Sequence, residues 1–125
     1  MILADSNLII YAASGKYPAL IEWFAENKPV VSAVTLLEVL GYHKLKADEK
    51  TTLENLFAEL SVIYPSVEIF QKAIELRQKR KITVGDALIA ATALVHHVTL
   101  ATHNTSDFDW VDELELADPL GKIES

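Results

Sequence analysis

Four acids stand where an apolar segment meets the element beside it. Asp5 closes Met-Ile-Leu-Ala-Asp5, and Glu38 is embedded in Val34-Thr-Leu-Leu-Glu38-Val-Leu-Gly41. Asp86 heads the run Asp86-Ala-Leu-Ile-Ala-Ala-Thr-Ala-Leu94, and Asp107 follows Thr99-Leu-Ala-Thr-His-Asn104-Thr-Ser106. A carboxylate in apolar company is costly unless something pairs with it. A divalent cation could use all four together. The chain has no cysteine, which removes disulfides, thiolate zinc sites and thiol nucleophiles and leaves only oxygen and histidine ligands.

The elements that must position these acids can be read from apolar periodicity and punctuation. Ile2-Leu3-Ala4 is a short buried strand running into a helix capped by Asp5 or Ser6, with Leu8, Ile9 and Ala12 inside. A second helix spans Tyr17 to Asn27, with Pro18 tolerated in its first turn and Leu20, Ile21 and Phe24 on one face. Pro29-Val-Val-Ser32 is a strand leading into a helix from Ala33 to about Lys46; another helix runs from about Asp48 to Leu60. Val62-Ile-Tyr64 is a strand stopped by Pro65. Ser66 opens a helix in which Val67, Phe70, Ala73, Ile74 and Arg77 share a face, before the basic exit Arg77-Gln-Lys-Arg-Lys81. The segment Asp86 to His96 is apolar nearly all round and belongs in the interior. Val98 to Ala101 is a strand, and Leu114-Glu-Leu116 adds a last one. Short apolar strands separated by helices predict an α/β three-layer α/β/α sandwich around a short, mainly parallel sheet.

Half the residues are hydrophobic in a chain of 125, enough for one domain, 1–125, with a true core. No apolar run approaches the roughly 20 residues that cross a bilayer, and the amino terminus lacks the basic start of a signal peptide, so a soluble cytoplasmic protein without membrane contact is expected. Eleven basic against eighteen acidic residues give a net charge of −7. That is the wrong sign for holding a polyanion by bulk electrostatics, so such a substrate would need a metal or a local basic patch.

Each aspartate taken alone has a structural explanation. Asp5 is a good helix cap, Thr83-Val-Gly-Asp86 has capping-box spacing, and Asp107 fits a turn in which Asp109 could replace it. Glu38 resists such an account, because Leu36, Leu37, Val39 and Leu40 surround it. Ligands of a doubly wound sheet gather beyond the carboxyl ends of its strands, where Asp5 and the Thr102 to Asp107 loop both fall. That convergence favours a site.

With these pieces in this order, the chain resembles the PIN-domain nucleases, in particular the VapC-like toxins of toxin–antitoxin pairs. The likeness rests on Asp5-Ser-Asn-Leu8, Ser32-Ala-Val-Thr-Leu-Leu-Glu38-Val39, Asp86 to Leu94, and Leu100-Ala-Thr-His-Asn104-Thr-Ser-Asp107-Phe108. It implies Mg2+- or Mn2+-dependent cleavage of RNA at an acidic site of Asp5, Glu38, Asp86 and Asp107. Within that site Asp5, Asp86 and Asp107 are metal ligands, and Glu38 positions water or acts as general base. Ser6, Asn7, His103 and Asn104 fall to substrate or to the outer metal shell. Two departures stand out. His103 occupies a position where such proteins often carry Arg, and some relatives place the fourth acid where this chain has Asn104. The resemblance also implies a homodimer and a cognate antitoxin, with the apolar surplus of Tyr17, Leu20, Ile21, Trp23 and Phe24 available for either contact.

The alternative is a non-catalytic PIN-like domain that binds RNA or protein. A phosphoryl-transfer receiver or phosphatase with Asp5 as nucleophile lacks the lysine such sites need in the late strand-end loop. His43, His96 and His97 read as solvated or helix-end residues. Lys44, Lys46 and Lys50, and the run Arg77 to Lys81, are the only basic concentrations, and Lys79, Arg80 and Lys81 are the residues expected to guide RNA if any do.

Overall fold

In the computed structural model, which describes residues 1–124 and, in the last helix, side chains as far as Gly121, five strands form one parallel sheet. Their order is β3-β2-β1-β4-β5, with β1 at Ile2–Ala4, β2 at Val30–Ser32, β3 at Ser61–Ile63, β4 at Thr99–Ala101 and β5 at Leu116–Ala117. The central strand β1 pairs with β4 in the register Leu3 to Leu100 and Ala4 to Ala101. Strand alternation then divides the core. Leu3, Val30 and Leu100 face a layer containing Ile69, Ala73, Leu76 and Ala87 to Ala91, while Ala4, Val31 and Ala101 face one containing Leu8, Leu20, Phe24, Leu53, Phe57 and Leu120. The result is the expected three-layer sandwich.

The helices are α1 (Ser6–Ala13), α2 (Pro18–Asn27), α3 (Ala33–Leu40), α4 (Ala47–Ala58), α5 (Val67–Lys79), α6 (Val84–His96) and α7 (Pro119–Glu124). As expected, α6 is interior: every residue from Ala87 to Ala93 is buried. Among the described residues no helix is long and apolar enough to cross a membrane.

Four boundaries or faces differ from expectation. Helix α3 ends at Leu40 rather than near Lys46, because Gly41 turns the chain so tightly that a Cβ there would run into the Leu37 carbonyl oxygen. Helix α5 buries Ile69, Ala73 and Leu76 and leaves Val67, Phe70 and Ile74 exposed. Both arcs have helical spacing, so periodicity alone could not choose between them. Ile21 of α2 is likewise exposed while Leu20 and Phe24 are buried. The last strand lies at Leu116–Ala117, placed by its pairing with Leu100 and Ala101 rather than by its own pattern.

Candidate active site

Because β1 and β4 are parallel neighbours, their carboxyl ends open on the same edge of the sheet. There the Asp5 amide donates to the Ala101 carbonyl at 2.9 Å, so Asp5 and Thr102 leave the sheet side by side. The Asp5 side chain is 5% exposed. Its Oδ1 accepts the Ser6 amide at 2.8 Å and its Oδ2 accepts the Thr102 hydroxyl at 2.8 Å. Thr102 is itself held, since its Oγ1 accepts the Asn104 amide at 3.0 Å. Asp5 is therefore both the cap of α1 and a fixed, buried carboxylate.

Glu38 reaches the same region from α3. Ser6 Oγ donates to Glu38 Oε1 at 3.1 Å and lies 2.9 Å from Oγ1 of the fully buried Thr35. A serine hydroxyl has one proton. With that proton on Glu38, Thr35 is the donor to Ser6, giving a relay from Thr35 through Ser6 to Glu38. The other carboxylate oxygen of Glu38 lies against Gly85 of α6, where a Cβ would come within 2.6 Å of Oε2. Asp86 follows directly. It is half-buried in the first turn of α6, and its amide donates to the Thr83 hydroxyl at 3.1 Å, the cap expected from the spacing.

Asp107 ends a 3-10 turn, Thr105–Asp107, and is exposed. Its main-chain carbonyl accepts Trp110 Nε1 at 2.9 Å, which fixes the turn and leaves the carboxylate outside that bond. Asp86 and Asp107 line a common cleft of about 530 Å3 with Arg77, Lys81, Ile82 and Thr83.

The protonation behaviour of the acids reflects this crowding. Burial pushes the Asp5 carboxyl up to about 6; the Thr102 and Ser6 hydrogen bonds oppose the shift, and the charges of Asp86 and Glu38 add to it. Burial likewise raises Asp86, with the charge of Asp107 adding to the effect and the Thr83 hydroxyl opposing it. The four acids thus form an electrostatic chain from Glu38 through Asp5 and Asp86 to Asp107. Among the described residues, however, no three His, Asp or Glu side chains are already drawn together as a closed metal-ligand set.

The remaining sequence candidates fall into different situations. Asn7 lies within the first turn of α1, and both of its side-chain amide atoms are buried without a hydrogen-bond partner, an arrangement that costs free energy unless water or a ligand completes it. Asn104 is exposed and engaged through its backbone amide. His103 directs Nδ1 to the Asp118 carboxylate at 3.1 and 3.2 Å and packs edge-on against Tyr11. Asp109 is exposed and follows the same turn as Asp107. Nothing in the residue pattern gives Thr35, Gly85 or Thr102 a role of its own in a site. The register of β1 on β4 brings Thr102 to Asp5, and the packing of α3 on α6 brings Gly85 to Glu38.

The sequence model of the PIN domain matches residues 2–114. The chain belongs to the PIN-domain family. This PIN domain is 30% identical to a protein named Ribonuclease VapC from Rickettsia bellii (strain RML369-C), over 92% of this chain and 93% of that protein. Among solved structures, it is similar to a toxin–antitoxin complex from Klebsiella pneumoniae, with 29% identity, a TM-score of 0.77 and coverage of 95% of this chain and 98% of that one. It is also similar to VapBC2 from Rickettsia felis bound to a promoter DNA fragment, with 26% identity, a TM-score of 0.80 and coverage of 94% and 98%.

The PIN domain's acids suit a hard cation by donor chemistry, since every candidate ligand is an oxygen, and two of the carboxyls, Asp5 and Asp86, are raised by burial and by the charge of neighbouring acids. They suit a hydrated ion better than a dehydrated one. Magnesium usually keeps several waters and binds through one or two carboxylates, which accords with a site not closed in advance.

Proposed function

We propose that residues 1–125 act as one PIN domain that hydrolyses RNA phosphodiesters with Mg2+ or Mn2+, as the cytoplasmic toxin of a toxin–antitoxin pair. The observation that carries this reading is the buried Asp5 at the carboxyl edge of the sheet, raised to about 6 by burial and by the charges of Asp86 and Glu38, with Asp86 in turn raised by burial and by the charge of Asp107. Asp5 and Asp86 are the direct ligands in this reading, and Asp107 is a ligand or a holder of bound water. When bound, the cation offsets phosphate charge and makes a water acidic near neutral pH.

The chain's own residues do the rest. Thr102 and the Ser6 amide hold Asp5 in one orientation, so no side-chain ordering is left for the moment of binding. Glu38, oriented by Ser6 and pressed against Gly85, orients the attacking water or takes its proton. Water adds to phosphorus as the 3′-oxygen leaves, so the products end in 5′-phosphate and 3′-hydroxyl. Cleavage of defined RNAs with and without chelator, comparing the wild type with Asp5→Ala, tests the proposal. Products with 2′,3′-cyclic phosphate ends would reject the mechanism. The lack of a closed ligand set among the described residues favours one rival, a non-catalytic RNA-binding PIN domain, which would retain RNA uncut under both conditions.

The antitoxin is supported by the two toxin–antitoxin neighbours and by a groove of about 370 Å3 lined by Ile10, Val39, Tyr42, Leu45 and Leu53, with Glu38 and Glu49 in the same lining. An amphipathic helix carrying a basic residue toward Glu38 fits such a groove. The expected homodimer has a natural surface in the exposed Val67, Phe70 and Ile74 of α5 rather than in α2, most of whose apolar stripe is at least half-buried.

A further inference from the structure

The basic run at the end of α5 does not act as a block. Helix α5 stops at Lys79, and Arg80 is fully extended at φ −162°. That turn sends the side chains apart. Arg80 stacks over Trp110, 5.5 Å from the ring centroid, whereas Arg77 and Lys81 line the cleft that holds Asp86 and Asp107. Arg77 Nε donates to the Ile82 carbonyl at 3.2 Å, which anchors the guanidinium by one edge and leaves its terminal amino groups for another acceptor. Among the described residues neither Arg77 nor Lys81 forms an ion pair, although two carboxylates share their cleft. Acids and bases therefore line one cleft without neutralising each other.

We propose that Arg77 and Lys81 form a phosphate subsite that grips the RNA backbone at a phosphate neighbouring the scissile one. The inference rests on the nuclease reading and deepens it. A chain of net charge −7 repels a polyanion at long range, so a strand can be retained only where local cations meet its phosphates. The acids' cation accounts for one phosphate, and the next requires its own partner. A guanidinium anchored along one edge supplies two parallel donors to phosphate oxygens. Lys81 adds a mobile charge.

The test is an anisotropy titration of a labelled single-stranded RNA in Ca2+, with the RNA shown intact by gel. Arg77→Gln/Lys81→Gln should bind roughly tenfold more weakly and flatten the slope of log K against log salt by about 0.7 for each phosphate no longer neutralised. Lys79→Gln/Arg80→Gln should bind like the wild type. Since Arg77 also holds the Ile82 carbonyl, Lys81→Gln alone provides a version that leaves that bond intact, and it should show a smaller loss of the same kind. A single neutral methylphosphonate linkage beside the scissile position should weaken the wild type but not the Arg77/Lys81 double variant. The subsite is overturned if that variant matches the wild type in affinity and slope, or if the Lys79/Arg80 control loses as much. If the wild type binds with this pattern but never cleaves in Mg2+, the subsite stands and the nuclease reading falls. If it does not bind, both fall.

Discussion

Asp5 couples stability to chemistry. Its folded carboxyl keeps a proton up to about pH 6, while an unfolded one loses it near 3.8. Between those values the folded state binds more protons, so this group's contribution makes the metal-free protein more stable as pH falls from about 6 toward 4, and less stable as pH rises through that window. The ionised, metal-free Asp5 therefore costs roughly 3 kcal/mol at neutral pH, the free-energy equivalent of that shift. Asp5→Asn should raise the metal-free melting temperature at pH 7.5 by a few degrees, flatten its rise on acidification and abolish cleavage; calorimetry between pH 4 and 8 checks this. An amide keeps one acceptor for the Ser6 N–H, so a drop in stability at pH 7.5 would contradict the assignment of Asp5 as a strained ligand. Thr35 supports a separate prediction. Its hydroxyl reaches Glu38 through Ser6, so Thr35→Val should lower kcat roughly tenfold, with little change in KM and a stability loss of about 1 kcal/mol for the deleted hydrogen bond. Thr35→Ser should restore kcat. Equal loss in both variants would make Thr35 a packing residue and nothing more.

At the scale of elements, the first turn of α6 holds an unusual glycine. Gly85 sits inside a helix, where Ala is preferred by about 1 kcal/mol, yet a Cβ there would come within 2.6 Å of Glu38 Oε2. The helix gives up propensity so that α3 can bring its acid against the first turn of α6 at Gly85. Gly85→Ala should therefore fold with an unchanged or higher melting temperature while losing at least about tenfold in kcat. A variant with wild-type kcat would show that Glu38 has no fixed place in the site. The same region shows what the sequence could and could not tell. Asp5, Glu38 and Asp86 stood out because each interrupts an apolar stretch or heads a helix, Asp107 because its loop follows a strand, and the caps at Asp5 and Thr83 were legible from spacing. Thr35 and Thr102 were not, since a threonine near a strand end looks like any β-former until register places Ala101 beside Ala4. The inward arc of α5 was hidden for a related reason. Two apolar arcs share one helix, and only packing against α6 decides which is buried.

Across the whole molecule, the features that folding leaves costly are the ones an assembly would relieve. At the acidic edge burial and neighbouring acids oppose the ionisation of Asp5 and Asp86, and Mg2+ at a hundred times its dissociation constant should stabilise the fold by about 2.7 kcal/mol, reversed by chelator and absent in Asp5→Asn. The second such feature is apolar. Val67, Phe70 and Ile74 lie at positions i, i+3 and i+7 of α5, with exposures of 75%, 51% and 57%, and a contiguous exposed apolar row is disfavoured on a protein that stays monomeric. Arg77 continues that arc by a further turn and lines the acidic cleft, so a second copy seated on Phe70 would border the path taken by RNA. Phe70→Glu places a charge on the row without touching the inward Ile69, Ala73 and Leu76. By sedimentation it should therefore turn a wild-type dimer into a folded monomer, with the melting temperature no longer dependent on protein concentration. A variant that still sediments as a dimer would move the interface elsewhere on the surface, and a wild type that is monomeric at every concentration would remove the second copy from the proposal.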